Sequence, residues 1–316
     1  MNVPCTLSRR ALLGIAASGL AARALGLSGC GSDDQPPVGM PATASYLSDD
    51  LLVDAAWLAQ RIDDPATRVI DSSPASVYRD GHIPGASHLW WQDTIEVNNP
   101  TYGMLTGVET RRRLMHEAGI DEGATVIVYD DDGGTFAARA LWMLHAMSFA
   151  GTRLLDGGSQ AWTRAGHELT RESVSRQSGA LEGAHTEDVY AHAHDIEGWI
   201  GRDDLAILDT RTRQERVETW HDRLRTGRIP GSAWLPRDRF HAESGSPYLA
   251  SRSDLIERLA MAGVAPGVPE VVVYGLHSTL AALPYVALRA LGTPRVRVYD
   301  GAWAEWGAGE RSIEPL

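Results

Sequence analysis

The sequence predicts two α/β domains of one kind in tandem, each a parallel sheet with helices on both faces. The first observation behind this is a repeat: four blocks occur twice in the same order. Val69-Ile-Asp-Ser-Ser73 recurs as Ile207-Leu-Asp-Thr-Arg211, and Gly81-His-Ile-Pro-Gly-Ala86 as Gly227-Arg-Ile-Pro-Gly-Ser232. Val126-Ile-Val-Tyr-Asp130 recurs as Val271-Val-Val-Tyr-Gly275, and Leu155-Asp-Gly-Gly-Ser-Gln-Ala-Trp162 as Tyr299-Asp-Gly-Ala-Trp-Ala-Glu-Trp306. The last three pairs are offset by 146, 145 and 144 residues and the first by 138, which marks an internal duplication. Second, the runs at Val126 and Val271 are short, apolar and β-branched, as expected of strands buried on both faces. Third, stretches with helical spacing separate the strands, and that alternation folds into a covered parallel sheet.

The N-terminal 30 residues read as an address rather than as structure. Ser8-Arg-Arg-Ala-Leu-Leu13, followed by an uncharged Ala/Leu/Gly-rich run up to Ala22, resembles a twin-arginine export signal. The run is short and weakly apolar for a spanning helix. Leu27-Ser-Gly-Cys30 is similar to the lipobox of bacterial lipoproteins. That likeness implies lipidation of Cys30, a membrane anchor through the lipid and a place in the cell envelope, in the periplasm or on the outer face of the membrane. An ordinary cleaved signal that contains a Cys is the alternative. Residues 31–45 are polar and rich in Pro and Gly, which suits a flexible tether.

The first copy spans residues 46–170. Helical spacing covers Asp54 to Arg61, Glu109 to Ala118 and Ala137 to Met147. Residues 171–187, rich in Ser, Gly, Glu and His and without periodicity, form the linker. The second copy spans 188–316, with helices over Asp254 to Ala262 and Ala281 to Leu291. Gly85 and Gly231 each follow a Pro where a turn needs positive φ.

Composition closes several routes. All 29 basic residues are Arg, so Lys-based and Schiff-base chemistry is excluded. The formal charge of −12 argues against nonspecific nucleic-acid binding. The only cysteines are Cys5 and Cys30, so the body of the chain can hold neither a disulfide framework nor a Cys-based metal site. His185, His192, His194 and Asp195 cluster near the linker. Their irregular, acidic setting reads as a solvated stretch rather than as metal ligands. No P-loop or dinucleotide fingerprint occurs, and no cofactor is implied.

The candidate site is the turn after the strand at Val271. A strand, a tight loop and a helix aim backbone N–H groups at an anion over the helix start. That assigns Gly275, Leu276, His277, Ser278, Thr279 and Leu280 to the loop. Gly-His-Ile-Pro-Gly-Ala, Asp-Gly-Gly-x-x-x-Trp and the strands ending at these loops together resemble the rhodanese superfamily. Two copies, with Tyr129-Asp130 closing the first strand and Ala138, Arg139 and Trp142 beyond it, are similar to the tandem thiosulfate and 3-mercaptopyruvate sulfurtransferases. The resemblance covers about residues 46–310. It implies that the second domain carries sulfur as a persulfide on a loop Cys while the first is structural, as Asp130 fits.

The resemblance puts that nucleophile at Gly275, which has no side chain, and no body Cys can replace it. A catalytically impaired protein follows, one that binds a small sulfur-containing anion or a protein partner. An active thiosulfate:cyanide-type sulfurtransferase with an atypical mechanism is the alternative. A hydrolase using Ser278 with His277 as base is a third reading; against it, Ser278 or Thr279 caps the next helix and His277 faces solvent. The resemblance also implies that Arg211 and Arg216 hold the substrate anion, the bland alternative for Arg211 being a surface pair with Asp209 or Glu215. Pro284 requires the helix either to start near Leu280 or to kink.

Overall fold

The computed structural model describes residues 51–174, 184–218 and 224–316. The expected signal and tether, and the linker over 175–183, lie outside the described residues. The first half runs β1 (Leu52–Val53), α1 (Ala55–Ala59), β2 (Thr67–Asp71), α2 (Ala75–Asp80), β3 (Ala86–His88), α3 (Val108–Glu117), β4 (Thr125–Tyr129), α4 (Thr135–Ala146), β5 (Thr152–Leu155) and α5 (Gly158–Arg164). The second runs β6 (Tyr190–Ala191), α6 (Ala193–Trp199), β7 (Leu205–Asp209), α7 (Arg213–Val217), β8 (Ala233–Trp234), α8 (Arg252–Met261), β9 (Glu270–Tyr274), α9 (Ala282–Ala290), β10 (Arg295–Tyr299) and α10 (Ala302–Trp306).

Each half holds a five-stranded sheet, ordered β1-β5-β4-β2-β3 in the first and β6-β10-β9-β7-β8 in the second. The strand pairs within both sheets are parallel. Matching strands occupy matching places, so the sequence repeat is a repeat of topology. The Val runs are central strands, and every residue of β9 is buried. Helix starts follow local chemistry: Asp54 caps α1 by accepting from Trp57 N at 2.7 Å. Thr212 and Glu215 form a capping box on α7.

The helix after the second loop takes the first of the two options that Pro284 leaves, a start close to Leu280. A 3₁₀ turn over Ser278–Ala281 precedes α9, which starts at Ala282. Pro284 is therefore the third helical residue, inside the first turn, where a missing N–H breaks no intrahelical bond.

The helices after the two loops, α4 and α9, pack on each other, and one apolar core runs through both halves. Leu141, Trp142 and Leu144 on α4 and Val286 and Leu288 on α9 are buried in it. Each such side chain contributes about 1.5–3 kcal/mol on burial. Smaller clusters lie under the outer faces, around Leu58, Ile127 and Trp162 in the first half and Ile196, Val272 and Trp306 in the second.

Polar bonds tie the halves reciprocally. Asp156 Oδ1 accepts from Leu249 N at 2.9 Å, and both carboxylate oxygens of Asp300 accept from Leu105 N at 3.1 Å. Each N–H belongs to an arm, residues 95–105 or 241–249, closed by an antiparallel bridge, Ile95 to Leu105 or His241 to Leu249. Each half thus reaches across and is held by an Asp of the other. Among the described residues no helix is long and apolar enough to cross a membrane.

Candidate functional site

In the first half, β4 delivers Asp130 to the start of its loop. Gly133 and Gly134, at φ +69° and +89°, turn the chain back so that its amides face inward. Asp130 Oδ1 accepts from Asp132 N at 2.9 Å and Gly134 N at 2.7 Å. Its Oδ2 accepts from Phe136 N at 2.8 Å and Ala137 N at 2.9 Å. This is an anion cradle at a helix start, occupied by the chain's own carboxylate. Burial pushes Asp130 up to about 6, against the pull of the four N–H groups.

The second half begins the same way and ends differently. Tyr274 accepts from Ile229 N at 3.3 Å through its hydroxyl, as Tyr129 does from Ile83 N at 2.9 Å. Gly275 then stands where Asp130 does. Two of the following amides bond within the turn itself: Leu280 N donates to His277 O at 3.1 Å and Ala282 N to Thr279 O. A Cβ at Gly275 would lie 3.0 Å from His277 O, 3.2 Å from Leu280 Cβ and 3.4 Å from Ala281 N. A side chain there would be tight, and its neighbours would have to give by a few tenths of an ångström. The 3₁₀ turn, not the absent N–H of Pro284, sets this arrangement.

The loop side chains correct the sequence reading at two places. His277 is half-buried and packed against aromatic rings rather than facing solvent freely. Its ring stacks on Trp91 at 6.1 Å and meets Tyr102 edge-on at 5.3 Å, and Gly103 lies against its Cβ. Burial, and then the charge of Arg139, pull its pKa down to about 4. Nor do Ser278 or Thr279 cap α9 with their side chains. Ser278 Oγ donates to Gly103 O at 2.7 Å and accepts from Arg139 Nη1 at 2.8 Å. The Asp300 carboxylate is also within hydrogen-bond reach of this hydroxyl, which is thus shared among a carbonyl, a carboxylate and Arg139; His277, the base the sequence suggests, is not among its partners. Thr279 Oγ1 is buried without a partner, Leu276 is buried, and Leu280 is half-buried.

Arg211 is not a surface residue. It is fully buried, bonded to Asp209 at 3.0 and 2.7 Å and to Gly227 O at 2.7 Å, with its guanidinium 4.0 Å from the centre of the Trp303 ring. Burial lowers its pKa and the Asp209 carboxylate more than restores it, for a net rise. Arg216 Nε lies 3.2 Å from the same carboxylate, and its guanidinium sits over Trp234. The two arginines converge on Asp209. In the linker region, His185 and His192 pair with Glu187, and His194 with Asp195. Among the described residues no group of three or more His, Cys, Asp or Glu is placed to hold a metal ion.

The duplicated loop-and-sheet unit has a counterpart among known proteins: a model described as a rhodanese-like domain matches residues 54–165 and again 192–308. The chain belongs to the rhodanese-like family. It is 30% identical over 260 residues to a thiosulfate sulfurtransferase of Pseudomonas aeruginosa, covering 81% of this chain and 94% of that one. It is 31% identical over 284 residues to the 3-mercaptopyruvate sulfurtransferase of Escherichia coli K12, covering 85% of this chain and all of that one. A crystal structure of an Escherichia coli 3-mercaptopyruvate sulfotransferase superposes with a TM-score of 0.70 at 29% identity, covering 80% of this chain and 98% of that one.

Two rhodanese domains thus meet at their loop helices, and the contacts that shape the second loop come from the first domain. Arg139 is the centre of them. Fully buried, it donates to Thr94 Oγ1 at 2.9 Å and Gly103 O at 3.0 Å as well as to Ser278. Burial lowers its pKa to about 10. Trp91, Tyr102 and Gly103 carry no sequence signal for this role. The clasps at Asp156 and Asp300 do carry one, because both sit in the repeated Asp-Gly block.

Proposed function

We propose that this rhodanese-family protein does not carry sulfur and acts as a binding protein, exported and held at the cell envelope through lipidated Cys30. The observation that carries the reading is Gly275 at the cradle position, with the amides of Leu280 and Ala282 bonded within their own turn. A persulfide needs a thiolate, and a thiolate at this place needs those N–H groups. A small sulfur-containing anion at Gly275–Leu280 would first have to open the 3₁₀ turn. A protein partner docking outside the loop would not, and exposed Val97 and Tyr102 on the arm over the loop give it apolar footing.

The test is turnover of thiosulfate with cyanide, and of 3-mercaptopyruvate with a thiol, by the full chain. Rates at the buffer background are expected, and enzyme-dependent turnover with either donor would falsify the proposal. The likeness to named sulfurtransferases favours a second reading, in which the chain works on a persulfide brought by an acceptor. Turnover that appears only when a low-molecular-weight persulfide is supplied would select it. For the anchor, labelled palmitate should enter the wild-type chain and not Cys30→Ala; equal labelling would remove it from the proposal.

A further inference from the structure

At their far ends, away from the loops, α4 and α9 differ between the copies in side chain though not in backbone. Both helices close with the same cap. In the first, Ser148 N donates to His145 O and Phe149 N to Leu144 O, both at 2.9 Å. In the second, Gly292 N donates to Arg289 O at 2.9 Å and Thr293 N to Leu288 O at 3.1 Å. This cap puts one residue in the left-handed region, which Gly accepts freely and a residue with a Cβ does not. Gly292 sits there at φ +87° and Ser148 at +56°, one of two non-glycine residues at positive φ among the described residues. The matched caps make His145 and Arg289 one position in two copies.

Between these ends lies a cleft of about 290 Å³. Leu51 and Val189, the residues just before β1 and β6, are matched walls: Leu154 N donates to Leu51 O at 2.8 Å and Val298 N to Val189 O at 3.0 Å. Phe149 adds a third apolar wall. The polar groups are His145, Ser148 and Arg289, and among the described residues no carboxylate lines the cleft.

Nor does any carboxylate among the described residues pair with Arg289. Its guanidinium reaches the Tyr285 hydroxyl at 3.5 Å and lies 5.9 Å from the centre of that ring. The same hydroxyl meets His145 Nδ1 at 2.8 Å. A guanidinium only donates, so the hydroxyl accepts from Arg289 and gives its own proton to Nδ1. A neutral imidazole in that bond carries its proton on Nε2. Burial, followed by the charge of Arg289, pulls His145 down to about 4, so the ring is neutral near pH 7. The cleft therefore sets a guanidinium, an imidazole N–H and a hydroxyl over apolar walls, with no acid to satisfy them.

We propose that this cleft binds a small organic carboxylate with an apolar body, the carboxylate on Arg289, His145 and Ser148 and the body against Leu51, Phe149 and Val189. The apolar walls are what select this class over inorganic anions. Ser148 is then a residue kept for its hydroxyl where the backbone would be easier with Gly. The inference is independent of sulfur transfer, since the cleft lies at the opposite ends of the helices from both loops.

The test is calorimetric titration of the full chain with benzoate at pH 7 and low salt. Benzamide serves as the uncharged counterpart and inorganic phosphate as an anion without an apolar body. Saturable binding of one benzoate per chain is expected, at least tenfold weaker in Arg289→Gln and unchanged in Arg79→Gln, an exposed arginine elsewhere on the surface. Benzamide should bind at least tenfold more weakly, and phosphate should not displace benzoate. Ser148→Gly separates binding from structure: it should raise the thermal midpoint by easing the backbone, yet weaken benzoate at least threefold. Four results overturn the proposal: no saturation into the millimolar range, equal affinity in a folded Arg289→Gln, benzamide as tight as benzoate, or displacement by phosphate. Should Arg289→Gln fail to fold, Ser148→Gly gives the reading, and unchanged affinity there overturns the proposal as well.

Discussion

At the scale of single residues, Asp130 and Gly275 are one position seen in two copies, and they have opposite electrostatics. Four amides around residue 130 converge on its side chain; after residue 275, the amides of Leu280 and Ala282 bond to carbonyls of their own turn instead. A thiol placed at each should report the difference. Set against the ordinary thiol value of about 8.5, Asp130→Cys is expected to ionise at lower pH than Gly275→Cys, because four N–H groups offset part of the burial cost that pushes Asp130 up. Gly275→Cys is expected to stay at or above that value, to lose about 1–3 kcal/mol of stability to crowding against His277 O and Leu280, and to gain no sulfur transfer. The measurement is the pH dependence of iodoacetamide alkylation, resolved by peptide mass spectrometry so that Cys5 and Cys30 do not interfere. Equal values at the two positions would remove the distinction between the loops.

At the scale of elements, the arm over residues 95–105 does most to make the two domains unlike. It lays Gly103 against His277 and offers its carbonyl to Ser278 and Arg139. Ser278→Ala is expected to cost about 1–3 kcal/mol, since it leaves the Arg139 Nη1 donor and one bond of the Gly103 carbonyl unmet in a buried place. Urea unfolding measures this, and an unchanged midpoint would show the bond to be idle. These contacts also mark where the sequence stops being informative. Strands, helices and the register of Gly275 against Asp130 follow from short-range periodicity and from the repeat, and they are legible. The closing of the second loop is not, because Ser278 meets a carbonyl 175 positions away and an Arg 139 away. No local pattern encodes those meetings. The burial of Arg211 was hidden differently: its pairing with Asp209 could be guessed from spacing, but the Trp303 ring that covers it comes from the far end of the fold.

At the scale of the whole molecule, buried titratable groups pull stability in two directions with pH. Asp130 and Asp156 are raised by burial to about 6, so the native state holds their protons more tightly than the unfolded chain does. Their contribution is full below the unfolded carboxylate value and is lost as pH rises through about 6. His145 and His277 are lowered by burial to about 4. Theirs is full above the unfolded imidazole value of about 6.5 and is lost as pH falls toward 4. His145, bonded to Tyr285 at 2.8 Å between α4 and α9, allows the two to be separated. The thermal midpoint of wild type should exceed that of His145→Phe by more at pH 7.5 than at pH 5, and a gap independent of pH would reject the assignment. The reciprocal clasps at Asp156 and Asp300 have a consequence of another kind. Because each half grips the other through the same Asp, the same arm and the same helix face, the joint resembles that of a symmetric dimer whose subunits were later spliced into one strand. Continuity of the peptide between them then supplies proximity alone. Two separate polypeptides, 1–174 and 184–316, produced together should find one another and co-purify as a stoichiometric pair, and their failure to do so would make the splice itself part of the architecture.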